Sequence, residues 1–241
     1  NKRPTGSGYL TQAKFTDKPT KQKKASLQNP KVNKYILGLN PMIFWRIVRC
    51  FYNIKTLKIF NSIKFKLVQN RSTRNLEQEM HLMNWNFIHH KLPNMNLLHL
   101  PSGFIEIQAF FKIESASSSI RELINFCSEK KLQSELCGIK IHPKKYGINE
   151  PGFYDSESVS IGIDVGLKRV RNDKIYSYLT KMIDLIIDLG GNIYLTKEST
   201  CLSKQMAIMY PEYFSLLNQK IKKSYPIFYS GQTQRLIQGV I

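Results

Sequence analysis

Acidic residues are scarce where this chain begins. Residues 1–80 carry 17 Lys or Arg against 3 Asp or Glu, a net +14, whereas residues 81–241 carry 19 against 14, a net +5. Long apolar runs are missing too: no stretch reaches the roughly 18 uninterrupted apolar residues a membrane-crossing helix needs. Cysteine is sparse, with four residues, Cys50, Cys127, Cys137 and Cys201, and none forms a Cys-x-x-Cys pair. With no Cys/His cluster at ligand spacing, neither a zinc site nor any other metal is expected. His89 and His90 are adjacent and would point to opposite sides of a strand, which does not suit a shared ligand set. The chain also lacks a glycine-rich dinucleotide loop and any RNP, KH or zinc-finger pattern.

What is present makes a folded protein. Of 241 residues, 42% are apolar, enough for a hydrophobic core and too many for a disordered chain. The cysteines mostly sit within apolar or helical patterns, where a free thiol behaves as a small hydrophobe. A reducing, cytoplasmic setting fits them. The first residue is Asn1 rather than Met, so the chain is expected to be a piece of a longer protein. The uneven charge has two readings: an anionic partner for the first third, or a general lysine-rich composition.

The pattern along the chain suggests three stretches. Residues 1–39 read as a basic linker or extension. Residues 40–100 read as a basic, aromatic, helical or irregular segment, in which Pro41 after Asn40 suits a helix start. Residues 101–241 carry clear periodicity. "GFIEIQAFFK" alternates, with Ile105, Ile107, Ala109 and Phe111 on one face and Glu106 and Gln108 on the other, as a strand does. "SASSSIRELINFCSEKKL" reads as a helix with a serine cap and a stripe of Ile120, Leu123, Ile124 and Cys127. "ELCGIKIH" is a second strand with Cys137, Ile139 and Ile141 inward. "SVSIGIDV" is a third, with Val159, Ile161, Ile163 and Val165 opposite Ser160, Gly162 and Asp164. "NDKIYSYLTKMIDLIIDLGG" is a helix with a stripe of Ile175, Leu179, Met182, Ile183 and Ile186, stopped by Gly190 and Gly191. "NIYLT" is expected to be a last strand. The order β-α-β-β-α-β implies an α+β fold of the ferredoxin-like kind, an antiparallel sheet with helices on one face, followed by C-terminal helices. The other sheet face is polar, which suits either solvent or a lid over a ligand.

Four motifs carry a resemblance. They are "GGNIYLTKES", "MAIMYPEYFSLLNQKIKKSYPIFYSGQTQRL", "FIEIQAFF" and "KKYG". Together they resemble the FAD-linked oxidases of the vanillyl-alcohol-oxidase type, within them the decaprenylphosphoryl-ribose 2′-oxidase and aldonolactone oxidase branch. The match runs from about Gly103 to Leu236. In that branch a Gly-Gly-x-x-Tyr-x-x-Lys-Asp stretch, a Met-Tyr-Pro helix and a Phe-x-Ser-Asp-x-x-x-Arg tail follow one another. Here these read Gly190-Gly191, Tyr194 and Lys197-Glu198, then Met209-Tyr210-Pro211, then Phe228-Tyr229-Ser230-Gly231 and Arg235.

The resemblance implies that this chain is the substrate-binding part of an FAD-dependent oxidoreductase. Its FAD would be held mainly by a domain upstream, and the chain alone would be inactive. It implies catalytic roles for Lys197, Gln108 and Lys144, with Lys145 as a one-residue alternative. It implies that Lys197, Tyr194 and Arg235 face the cofactor and that Ser160, Gly162 and Glu106 face the substrate. That substrate would be a sugar or polyprenyl-phosphate-sugar hydroxyl, oxidised by hydride transfer to the flavin. Three positions depart from the family pattern: Glu198 and Gly231 each stand where it has Asp, and Glu106 where a neutral Gln is common. The alternative is a non-enzymatic ferredoxin-like module that binds anionic lipid or nucleic acid through its basic first third.

Residues 40–68 interleave aromatics with Trp45, Arg46, Arg49, Lys55 and Lys58 among them. Three readings stay open for this stretch: helices packed on their own domain, a peripheral contact at the inner face of a membrane, and stacking on single-stranded nucleic acid.

Overall fold

The computed structural model describes residues 14, 34–51, 53–72, 93–132, 134–143, 157–167, 172–197, 200–216 and 230–238. It forms two compact units, Asn1–Leu100 and Pro101–Ile241. Among the described residues no helix is long and apolar enough to cross a membrane.

The first unit contains helix α1 (Pro41–Phe51), helix α2 (Ile54–Ser72) and a 3-10 turn over Met95–His99. α1 starts where the sequence implies. Pro41 takes the first helical position, where its missing N–H costs nothing, and the Asn40 carboxamide oxygen accepts from the Met42 amide at 2.9 Å. A small core of Ile36, Trp45 and Leu98 forms beside it. The Trp45 indole N–H needs a partner once buried, and it donates to the Pro93 carbonyl at 2.8 Å.

The second unit is α+β. Strand β1 (Phe104–Lys112) leads directly into helix α3 (Ile113–Glu129). Strands β2 (Ser134–His142) and β3 (Ser158–Gly166) follow, then helix α4 (Asn172–Asp188) and strand β4 (Asn192–Ile193). Among the described residues three short helices follow: α5 (Ser203–Met209), α6 (Pro211–Leu216) and α7 (Gly231–Gln238). The sheet has four strands in the order β2-β3-β1-β4, and every neighbouring pair is antiparallel.

One face of this sheet holds the core. Ile105, Ile107, Ala109 and Phe111 of β1 and Val159, Ile161, Ile163 and Val165 of β3 are all buried there. α4 covers them with Ile175, Leu179, Met182, Ile183 and Ile186, each at most 1% exposed. Full burial of one such side chain stabilises by about 1.5–3 kcal/mol, so this stripe is a large part of what holds the unit together. Cys127 of α3 lies in the same core, and loss of water around its thiol, with Cys137 nearby, pushes its pKa up to about 12.

Several expectations are corrected. α3 begins at Ile113, straight out of β1, without a serine cap; the Ser115 hydroxyl instead donates to the Lys112 carbonyl. Its inward stripe is Ala116, Ser119, Leu123 and Cys127, while Ile124 turns out to solvent. The strand reading placed Cys137, Ile139 and Ile141 inward. By register they lie on the helix side of the sheet, opposite Ile163, Ile161 and Val159, yet Cys137 is exposed and the two isoleucines are 58% and 73% exposed. β2 is an edge strand, and sharing the correct face does not by itself bury a residue at the margin of the sheet.

Candidate functional site

The site is built on the sheet face away from α3 and α4. Period-two alternation puts Glu106, Gln108 and Phe110 of β1 on this side. Register brings them opposite Asp164, Gly162 and Ser160 of β3. From β2 come Gly138, Lys140 and His142, opposite Gly162, Ser160 and Ser158.

Lys197 reaches this face by a local device, and the two glycines explain it. α4 ends in a Schellman motif: the Gly190 amide donates to the Ile187 carbonyl and the Gly191 amide to the Ile186 carbonyl, both at 2.8 Å. Gly190 has φ +71°, which a side chain would strain. Gly191 is needed for a different reason. A Cβ there would sit 2.5 Å from the Phe111 ring and 2.8 Å from the Phe110 carbonyl. Only glycine lets the chain cross so close to β1 and pair with it.

The expected strand over "NIYLT" is therefore short. β4 is only Asn192–Ile193, and the Tyr194 amide extends the pairing by donating to the Gln108 carbonyl at 2.8 Å. The chain then tightens into a 3-10 turn over Leu195–Lys197, with the Lys197 amide donating to the Tyr194 carbonyl. Two side chains hold this turn from outside. The Tyr210 hydroxyl donates to the Ile193 carbonyl at 2.6 Å, and the Gln232 amide to the Leu195 carbonyl at 2.8 Å. The tyrosine of the Met-Tyr-Pro motif thus positions the strand that leads to the lysine.

The turn folds Lys197 back over β1, where its ammonium lies 2.5 Å from Glu106 Oε1. The pair is about one-third exposed on each side, at 33% and 29%. The Glu106 carboxylate is thereby paired rather than isolated. Gly162 gives it room: a Cβ at that position would lie 3.3 Å from the same oxygen.

Next to the ion pair is a buried polar chain. The Gln108 carboxamide donates to Ser160 Oγ at 2.9 Å, and Ser160 Oγ lies 2.8 Å from His142 Nε2. Ser160 Oγ accepts from Gln108 and still has one proton and one lone pair, so its bond with Nε2 runs in the direction that the imidazole tautomer sets. Partial burial, followed by the Lys140 charge, lowers the His142 pKa and favours the neutral imidazole. Phe110, 1% exposed, packs between His142 and Tyr194, with ring centroids 5.0 and 6.1 Å away.

Of the residues singled out in the sequence, Lys197, Glu106, Gln108, Ser160, Gly162 and Tyr194 meet on this one face. Arg235 lies on α7 and donates to the Cys201 carbonyl at 2.6 Å, tying the terminal helix to the segment before α5. Lys144, its alternative Lys145, and Glu198 lie outside the described residues, as do His89 and His90. His142 was not anticipated. Its signal was the alternation of β2 itself, since a strand with Ile139 and Ile141 on one side must present Lys140 and His142 on the other. Among the described residues no group of His, Cys, Asp and Glu could hold a metal ion.

No protein-family model matches the chain, and a search of curated proteins finds no match either.

Proposed function

We propose that residues 101–241 are the substrate-binding, flavin-covering part of an FAD-dependent oxidoreductase that oxidises a sugar or polyprenyl-phosphate-sugar hydroxyl. The observation that carries this reading is the convergence of Lys197 and Gln108 on one polar sheet face, with Lys197 delivered there by a dedicated glycine-gated turn. The strand order supports it as well. Read from the other edge, the order is β4-β1-β3-β2, with β3 between the two strands that α3 joins, and this supports a split βαβ, ferredoxin-like reading of the unit.

The residues present suit a flavin ring system lying over the sheet. Lys197 offers a cation, Gln108 a carboxamide, and Gly162 a position with no side chain. When bound, FAD would accept the hydride that leaves the carbinol carbon, and a base or solvent would take the hydroxyl proton, as the alcohol becomes a ketone or lactone. The chain's own residues do the rest. The Lys197 ammonium stabilises negative charge that develops beside it and can donate to a substrate hydroxyl. Glu106 holds that ammonium over the sheet. Ser160 fixes the Gln108 carboxamide, and His142 in turn fixes Ser160. Tyr194 and Phe110 form the aromatic flank of the face.

The second reading is a non-enzymatic ferredoxin-like module that binds anionic lipid or nucleic acid. The observation in its favour is that Lys197 is already neutralised by Glu106. One experiment separates the two. The full-length protein is purified, scanned for bound flavin absorbance, and mixed with sugar and polyprenyl-phosphate-sugar candidates. Flavin that bleaches in the wild type and not in Lys197→Ala is expected. A complete, folded protein without flavin leaves the second reading standing.

A further inference from the structure

The first unit carries a surface that the oxidase reading does not use. α1 and α2 together span residues 41–72 with seven Lys or Arg and no Asp or Glu. The acid-free stretch is longer still, running from Lys18 to Leu76 with 14 basic residues.

α2 has apolar residues on more than one side, and one of those sides is uncovered. Ile59, Ile63 and Leu67 recur at every fourth position and are 59%, 53% and 59% exposed; Phe60 beside them is 62% exposed. At 3.6 residues per turn these four side chains occupy an arc of about 100°. Lys55 and Lys66 lie at one margin of that arc and Lys64 at the other, all exposed. α1 repeats the pattern, with Ile43, Ile47 and Phe51 exposed at every fourth position and exposed Arg46 alongside. Its opposite side carries Trp45 into the small core, so the exposed stripe is not that helix's packing face.

We infer that α1 and α2 bind an anionic lipid surface, lying in its plane. An apolar arc bordered by lysines on both margins matches the two layers of a leaflet. The aliphatic groups reach the acyl boundary, and the lysine stems extend sideways to the phosphates. A protein groove would accept the stripe but would give no reason for two successive helices without one Asp or Glu. Single-stranded nucleic acid would match the charge but binds by stacking bases on flat rings, and this arc is branched aliphatic with one phenylalanine. Neither helix can cross the bilayer, so the contact is peripheral. It concerns residues 41–72 alone and stands whether or not residues 101–241 cover a flavin.

The test is partition of the intact chain onto sedimented vesicles. Phosphatidylcholine vesicles containing phosphatidylglycerol are compared with pure phosphatidylcholine. Binding to the anionic vesicles and not to the neutral ones is expected. Replacing Ile63 and Leu67 together by Ser should lower the partition coefficient at least about tenfold, because apolar burial drives insertion. Each of Lys64→Gln and Lys66→Gln should lower it about fivefold, the effect of one cation at an anionic leaflet. The lysine effect should shrink in high salt. Far-UV circular dichroism should be unchanged, since all four side chains are exposed. Equal binding to neutral vesicles overturns the inference, and so does full binding by Ile63→Ser/Leu67→Ser. Tight binding of single-stranded RNA that displaces the vesicles also overturns it, in favour of nucleic acid.

Discussion

The two faces of one sheet solve burial in different ways. Toward α3 and α4 every β1 and β3 side chain is aliphatic or aromatic, and the core stripe of α4 is closed to water. Toward the other side Gln108 and Ser160 are as deeply buried, yet both are polar. The first face is stabilised by area removed from water and needs no particular partner. The second is tolerable only because each group has a specific one: Gln108 with Ser160, Ser160 with His142, and Glu106 with Lys197. A face of the first kind accepts many similar sequences. A face of the second kind constrains residue identity, and for that reason it is the one worth reading for function.

Mutations sharpen the contrast. On the helix side, Leu179→Ala removes a side chain with no exposure at all. It should cost about 2–5 kcal/mol in urea unfolding, as other buried leucines do. A value under that range would mean the helix layer is loosely packed, and the difference between the faces would narrow. On the polar side, Ser160→Ala leaves the Gln108 carboxamide and His142 Nε2 without their shared hydroxyl. The expected cost is about 1–3 kcal/mol by the same measurement, set by stranded polar groups rather than lost area. Replacing Gln108 by Leu in the Ser160→Ala background should recover part of that loss, which no cavity on the helix side would do.

The polar face should also respond to pH. His142 has a folded pKa below the ordinary value of 6.5, first through burial and then through the Lys140 charge. Its contribution is therefore fully present above pH 6.5, where both states are neutral. It is lost as pH falls through the folded pKa, because the unfolded chain takes up the proton more readily. His142→Gln should flatten this limb of the stability curve in wild-type comparison, whereas Leu179→Ala should lower the curve without changing its slope there. The smallest effect is expected at the ion pair. Glu106→Gln should change stability by only about 0.2–1 kcal/mol, since both partners are partly in water. Its larger consequence is to free Lys197, so salt should lower wild-type stability slightly and leave Glu106→Gln unmoved.

Parts of this were legible in the residues. β3 shows why: Val159, Ile161, Ile163 and Val165 alternate without interruption, and a central strand buries whatever lies on its covered face. α4 was equally clear, since a five-residue stripe at helical spacing and a glycine pair after it admit one reading. β2 was legible only in part. Its alternation separated Ile139 and Ile141 from Lys140 and His142, but the exposure of those isoleucines follows from β2 being at the edge, and strand order is a long-range property. "NIYLT" misled because its composition suits a strand, while the hydrogen bonds of Tyr194 and Lys197, with Tyr210 and Gln232 holding from outside, tighten it into a turn.

By itself, then, the sequence determined the alternation of β1 and β3, the buried stripe of α4, the stop at Gly190, and the basic character of residues 18–76. Each of these depends on neighbours within a few positions, where periodicity, backbone conformation and charge act locally. Only the tertiary structure decided that Lys197 meets Glu106 across 91 positions, that Gln108, Ser160 and His142 form one chain, and that α2 leaves Ile59, Ile63 and Leu67 uncovered. Those facts depend on which strands pair and which surfaces are left over, and no local rule of spacing encodes either.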